Sequence, residues 1–343
     1  FNKERSKTIT EMQTKYETER KDAAIKISKL NLNRQHLISR IFIGGFLIVL
    51  IIVSLLYSRY RLKKRANAEL SQINHDLNTA KQEIEEKNLH ITDSIVYSKR
   101  IQNAILPTSR EMRKSLKDHF VIYRPKDIVS GDFYWLYSDE NCMILAVVDC
   151  TGHGVPGALM SVMGNSLLNE IVNDRQKLQP DRVLYELNIG VVKALKKSEQ
   201  ESRINDGMDV CLIFQDKQAN KVFFCGARRP LFLYRQKTKQ LEEYKGNRIS
   251  IGEFKKTGKS FHAESLDLEV GDMVYLTSDG FVDQSNVEGK KIGSRKFRSL
   301  LNEISEDSLK LQKKKLESLL DTHQAEEEQR DDITIIGFRY CDT

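Results

Sequence analysis

Val147-Val148-Asp149-Cys150-Thr151-Gly152-His153-Gly154-Val155-Pro156-Gly157-Ala158 is the stretch on which the reading of the chain turns. The apolar run 144–148 reads as a buried strand that delivers one carboxylate to its end and then breaks. Gly152, Gly154 and Gly157 permit a sharp turn and a close approach to a ligand, and Pro156 suits the first position of the helix that follows. An aspartate at such a strand-to-helix turn can offer its oxygens to a metal, and oxygen-only sites suit hard ions such as Mg²⁺ or Mn²⁺. Asp and Gly also build ordinary turns, so this stretch alone leaves both readings open.

Around it the texture is of short apolar strands separated by Gly, Asp and Asn turns. Strands are expected at 119–123, 133–137, 143–148, 210–215, 221–225, 231–235, 266–268, 273–277 and 333–340. Helices are expected at 157–172 and 181–197, each with one broad apolar face, and at 295–304 and 308–324 before the last strand. Strands grouped apart from helix pairs predict an α+β fold in layers, since a doubly wound parallel sheet would alternate them.

Four aspartate positions fall at strand ends or tight turns: Asp132 in SGDFYW, Asp149, Asp279 in YLTSDG, and the pair Asp331-Asp332. Carboxylates aimed at one place repel unless a cation neutralises them, so several together point to metal. A two-metal carboxylate site can activate a water and clamp a phosphoryl group, which is what hydrolysis of a phosphomonoester without a covalent intermediate requires. The sequence has no GxSxG elbow, HExxH, Walker loop or Cys with a phosphate-cradling Arg loop.

Upstream the chain has a different character. Residues 1–106 carry 19 Lys/Arg against 11 Asp/Glu, a net of +8, which leaves −1 for residues 107–343 out of the total of +7. That excludes a nucleic-acid-binding role for the downstream part, which would carry its own basic face. Residues 1–40 read as a helical stalk at the end of an upstream region. IFIGGFLIVLIIVSLLY, residues 41–57, has no charge and is near the minimum length that spans a membrane, so residues 41–58 are assigned to a transmembrane helix. Arg59, Arg61, Lys63, Lys64 and Arg65 follow at once, which places the C-terminal side in the cytoplasm of a single-pass inner-membrane protein. Leu70, Ile73, Leu77, Ala80, Ile84, Ile91, Ile101 and Ile105 step by threes and fours with few interruptions, predicting a homodimeric coiled coil over 59–106 that ends at Pro107. A single amphipathic helix packed on the next domain is the alternative. His75, in HDLNT, would suit a phosphoacceptor only if an ATP-binding domain followed. The five cysteines show no CxxC spacing and are expected to be small buried side chains in a reducing compartment.

The order GDFYW, DCTGHGVPGALMS, GMDVCLI, CGARRPLFLY, LTSDG and QRDDITII resembles the PPM-type, protein-phosphatase-2C-like metal-dependent serine/threonine phosphatases, nearest to the bacterial branch that includes stage II sporulation protein E. The resemblance covers residues 105–340, and it makes residues 107–343 the phosphatase domain. It implies an αββα sandwich of two antiparallel sheets flanked by helix pairs, and two Mn²⁺ or Mg²⁺ ions. It also implies that Asp149 bridges the ions, that the backbone carbonyl of Cys150 takes a second ligand position, that Asp279 and Asp331 are ligands, and that Asp132 serves the second ion. Asp332 and Gly152 would support these from behind, and His153 lies where larger members place a general acid. No phosphate-holding arginine is assigned, because Arg124 is spaced differently from the family's; Asp209 is left without a metal role. The expected substrate is phosphoserine or phosphothreonine on a cytoplasmic regulatory protein such as an anti-sigma-factor antagonist, with a metal-activated water as nucleophile and control through the membrane and coiled coil. The competing readings are a catalytically silent relay or scaffold that binds a partner, and a phosphotransfer protein using His75.

Overall fold

The computed structural model describes residues 2–173, 178–195, 206–253 and 260–341. Its contacts divide the chain into two compact units, residues 1–88 and 89–343. The described residues of the first belong to α1 (Asn2–Ile105), a helix of 104 residues whose last turns are part of the second unit. Thr10, Thr14 and Thr18 return their hydroxyls to carbonyls one turn back, and Lys87 pairs with Glu83 at 2.7 Å. Leu70, Ile73, Leu77 and Ile84 are each more than half exposed. Among the described residues, one helix is long and apolar enough to cross a membrane.

Within the second unit, Pro107 follows the end of α1. Thr108 caps a short helix, α2 (Ser109–Ser115), and the Glu111 side chain reaches back to the Thr108 backbone in a reciprocal capping box. Among the described residues ten strands follow: β1 (His119–Arg124), β2 (Phe133–Ser138), β3 (Cys142–Cys150), β4 (Met208–Asp216), β5 (Lys221–Ala227), β6 (Leu231–Arg235), β7 (Gln240–Tyr244), β8 (Glu264–Leu266), β9 (Met273–Thr277) and β10 (Ile333–Arg339). They form two five-stranded sheets, ordered β1-β10-β9-β6-β7 and β2-β3-β4-β5-β8, with every strand pair antiparallel.

Two helix pairs complete the layers. α3 (Gly154–Val172) and α4 (Pro180–Ala194) cover the β3 sheet, while α6 (Gly293–Ile304) and α7 (Leu309–Gln324) cover the β10 sheet; one turn of helix, α5 (Gly280–Asp283), follows β9. Strand alternation assigns each side chain to its layer. In β3, Ile144, Ala146 and Val148 pack with Leu168, Leu184 and Leu187 of the helices, and Leu145 and Val147 turn inward to meet Leu233, Leu276 and Ile336 of the facing sheet. In β10, Ile333 and Ile335 join Phe297 and Leu316 on the other outer face. Strands buried on both faces therefore read as continuous apolar runs.

The architecture is the α+β sandwich of two antiparallel sheets that the sequence predicts, with three corrections of detail. α3 starts two residues before Pro156, which occupies the first turn rather than the first position; the missing N–H costs nothing there because first-turn amides have no intrahelical partner. α2, α5 and β7 were not expected. Cys142, Cys150, Cys211 and Cys225 are buried thiols, but Cys341 is exposed, because it lies beyond the end of β10. Residues 196–197 of the expected 181–197 helix lie outside the described residues.

Candidate active site

Antiparallel pairing brings the acidic positions to one end of the sandwich. The C-terminal end of β3 lies between the N-terminal ends of β2 and β4, so Asp149 pairs directly with Asp209 and sits near Asp132, just ahead of β2. In the facing sheet the C-terminal end of β9 adjoins the N-terminal end of β10, which sets Asp279 beside Asp331 and Asp332. The charges of Asp132, Asp149, Asp279, Asp331 and Asp332 act on one another across this end.

The backbone around these carboxylates is tightly fitted. Gly152 has φ +86° and turns its carbonyl onto Gly131, where an added Cβ would lie 2.3 Å from that oxygen; only glycine allows the Asp132 loop so close to the β3–α3 turn. Asp332 fastens the same loop, accepting from the Gly131 amide at 2.6 Å and from the Lys126 amide at 2.7 Å. From the other side comes Gln102, near the end of α1 and only 2 % exposed. It donates to the Ser130 carbonyl at 2.5 Å and to Ser161 Oγ at 2.8 Å, and accepts from the Ser130 amide at 3.0 Å.

A cation already stands among the carboxylates. Arg229, from the turn between β5 and β6, places Nη2 3.0 Å from Asp279 Oδ2 and 3.1 Å from Asp209 Oδ2, with Nη1 3.8 Å from Asp149 Oδ2. Burial opposes its charge, but Asp149, Asp279 and Asp209 more than offset that, and the guanidinium is held above its usual range. Asp149 and Asp132 are pushed well above the ordinary carboxylate range, first by burial and then by a neighbouring carboxylate, Asp279 for the one and Asp149 for the other; Arg229 works in the opposite direction on Asp149. Burial raises Asp331 as well. Asp209 is fixed from behind, its Oδ1 accepting from Ser250 Oγ at 2.6 Å.

Among the described residues, no three acidic, His or Cys side chains already converge as a coordination shell, and the Arg229 guanidinium reaches Asp149 and Asp279. The donor chemistry nevertheless fits a hard divalent cation. Every side-chain donor is a carboxylate oxygen, and Asp132 Oδ2, on a residue 2 % exposed, is buried with no hydrogen-bond partner among the described residues.

At the rim, His153 caps α3. Its Nδ1 is 2.5 Å from Asp127 Oδ2 and its Nε2 is 2.8 Å from Lys126 Nζ. Arg124 is engaged elsewhere, 2.6 Å from Asp321 on α7. His75 lies exposed on α1, in the first unit. Four participants were not singled out from the sequence: Arg229, Gln102, Lys126 and Asp127. For Arg229 a signal existed, two arginines in a strand-to-strand turn flanked by buried residues, but only the fold shows that one of them turns in.

Residues 139–340, well over half of the chain, match the family model described as stage II sporulation protein E (SpoIIE). The chain belongs to the SpoIIE family. It is 32% identical to the solved SiaA-PP2C domain of Pseudomonas aeruginosa, covering 74% of this chain and 98% of that one with a TM-score of 0.67. The PP2C phosphatase domain of SpoIIE itself, from Bacillus subtilis and solved with a fragment of its regulatory domain, superposes with a TM-score of 0.53 at 16% identity over 65% of this chain and 63% of that one, a likeness of fold. Phosphoserine phosphatase RsbU of Bacillus subtilis is 25% identical over 198 residues, which is 56% of this chain and 54% of RsbU; the chain thus spans about half the length of that relative. The second unit is therefore a SpoIIE-family phosphatase domain of PP2C-like fold.

Proposed function

We propose that this protein is a metal-dependent protein serine/threonine phosphatase acting on a phosphorylated regulatory protein of the anti-sigma-factor-antagonist kind. The observation that carries the reading is the meeting of Asp132, Asp149, Asp279 and Asp331 at one end of the sandwich, with one buried carboxylate oxygen left without a partner. The relative named a phosphoserine phosphatase supports the substrate class.

In this reading Asp149, Asp279, Asp331, Asp132 and the Cys150 carbonyl hold two Mn²⁺ or Mg²⁺ ions. Bound there, the ions supply charge neutralisation for the phosphoryl group and a water made acidic enough to attack it. The chain's own side chains do the rest. Asp332, with Gly152 packed against Gly131, keeps the Asp132 loop seated. Asp127 orients the His153 ring through Nδ1, so that a proton held between Nε2 and Lys126 Nζ is available to the departing serine oxygen.

Residues 41–58 act as the membrane span, with residues 107–343 as the cytoplasmic phosphatase domain, and residues 59–106 pair as a parallel coiled coil in a homodimer. The exposed seam of Leu70, Ile73, Leu77 and Ile84 supports the pairing. Two measurements test the whole. Full-length protein in nanodiscs should hydrolyse a phosphoserine peptide in Mn²⁺ and stop when the metal is chelated; full activity in chelator would remove the metal reading. In sedimentation, Leu77→Lys with Ile84→Lys should convert a detergent-solubilised dimer to monomer, and a wild-type monomer at micromolar concentration would remove the pairing.

A further inference from the structure

The guanidinium of Arg229 sits where the family resemblance calls for metal. It is 17 % exposed, it touches Asp279 and Asp209, and it lies 3.8 Å from Asp149. Its Nε is buried without a partner among the described residues, so the side chain is held by its charge pairs at Nη1 and Nη2 rather than by a complete hydrogen-bond set. We propose that Arg229 is a resident counter-cation that competes with the metal for Asp149 and Asp279 and gives way to it on loading, leaning back on Asp209. This rests on the metal-dependent reading above.

Three features of the geometry carry it. Asp149 is expected to bridge the two ions and Asp279 to be a ligand of one, and a monovalent cation near the same oxygens raises the cost of bringing in divalent ones. Asp209 is not free to move with them, because Ser250 Oγ fixes its Oδ1 at 2.6 Å, so it remains as an anchor when the other two partners are withdrawn. This also gives Asp209 a role that its position in GMDVCLI did not reveal: it is a positioning residue for the arginine and no ligand. Finally, without any cation the β3 and β9 ends would set like charges side by side, so a metal-free protein needs Arg229 to keep the two sheets together at this end.

The test is calorimetric titration of Mn²⁺ into chelator-treated full-length protein, with thermal melting of the same samples. Wild type is compared with Arg229→Met, which keeps bulk and removes charge, and Arg229→Lys, which keeps charge. The Met variant should bind Mn²⁺ at least about tenfold tighter, since removing a unit charge at this range in a partly buried site is worth that much or more. It should also melt lower than wild type when metal-free and show the larger rise on loading, while the Lys variant stays close to wild type in both. If the Met variant does not fold without metal, its melting curve recorded in Mn²⁺ and the Lys variant's titration take its place; Lys affinity raised as far as tenfold would then count against the charge as the cause. A folded Met variant that binds Mn²⁺ no tighter than wild type overturns the inference and leaves the metal reading standing. A folded wild type that binds neither Mn²⁺ nor Mg²⁺ overturns both.

Discussion

Leu184 on α4 and Leu70 on α1 are the same residue in opposite circumstances: one is 0 % exposed, the other 57 %. The difference runs through the two units. The second unit buries apolar residues of its strands and helices against one another in three clusters. In the first unit, a single helix, none of the large apolar side chains among the described residues is buried. Exposed apolar residues at helical spacing are the surface that the proposed membrane span and coiled coil would cover. The same comparison separates tasks: titratable groups with strongly perturbed environments cluster at the sheet ends, while α1 carries solvated charges in pairs one turn apart.

The largest effect expected concerns that division of chemistry. Asp279→Asn removes a charged oxygen donor at the end of β9 and no buried packing, and should lower phosphoserine-peptide hydrolysis in Mn²⁺ by at least about 10²–10³-fold with the melting transition retained. His75→Ala, in the first unit, should leave the rate unchanged. Near wild-type turnover in a folded Asp279→Asn protein, or loss of turnover in His75→Ala, would invert the assignment of chemistry to the second unit.

Next comes the packing contrast itself. Leu184→Ala opens a cavity between α4 and the β3 sheet and should destabilise the phosphatase domain by about 2–5 kcal/mol in denaturant unfolding. Leu70→Ala should change that transition by less than about 0.5 kcal/mol, and its effect should be found in self-association measured by sedimentation. Equal losses of domain stability from both would mean that the seam packs on the domain, the alternative to a coiled coil.

Much of this division could be read from residue order alone. Runs such as MILAVVD and ITIIGF are apolar on both faces and bounded by turn residues, so their strands and the layered class follow directly, and the aspartates fall at their ends by simple counting. β7 escaped because QLEEY is polar and half exposed; it is strand by virtue of pairing with β6, a tertiary cause with no local signature. α2 is seven residues long, too short for a periodic stripe, and its one local mark was the capping box from Thr108 to Glu111. Arg229 and Gln102 are legible only in space. A glutamine in a charged helix looks solvated, and nothing in sequence says that residue 102 reaches residue 130.

Gln102 lies in the second unit on the same helix as Leu70 and is buried like Leu184. Gln102→Ala leaves the Ser130 amide and carbonyl without their side-chain partner, a loss of about 1–3 kcal/mol. Since Ser130 precedes Gly131 and Asp132, hydrolysis should fall along with stability, while Gln72→Ala, on an exposed face of the same helix, changes neither. A Gln102→Ala protein with wild-type activity and melting would show that the helix merely abuts the Asp132 loop.

The smallest effect lies within the second unit, where Pro107 follows the end of α1 and Thr108 caps α2. Hydrogen bonds from the Thr108 side chain and backbone hold the Glu111 carboxylate below the ordinary glutamate value of 4.5. A depressed folded-state value means that the ionised form is favoured by folding, so its contribution is present above the unfolded value and is lost as pH falls through the folded one. Wild type should therefore exceed Glu111→Gln in stability at neutral pH, by less than about 1 kcal/mol because solvent screens a carboxylate this exposed, and the gap should close as pH is lowered below about 4.5. Glu83→Gln, which breaks the exposed Glu83–Lys87 pair of α1, should leave the domain's unfolding unchanged across the same range. Unfolding curves collected between pH 3 and 7, a range chosen to bracket that carboxylate value, decide it. A gap that stays constant with pH would assign the capping interaction to the neutral hydrogen bond alone, and one that widens toward acid would contradict the sign of the Glu111 shift.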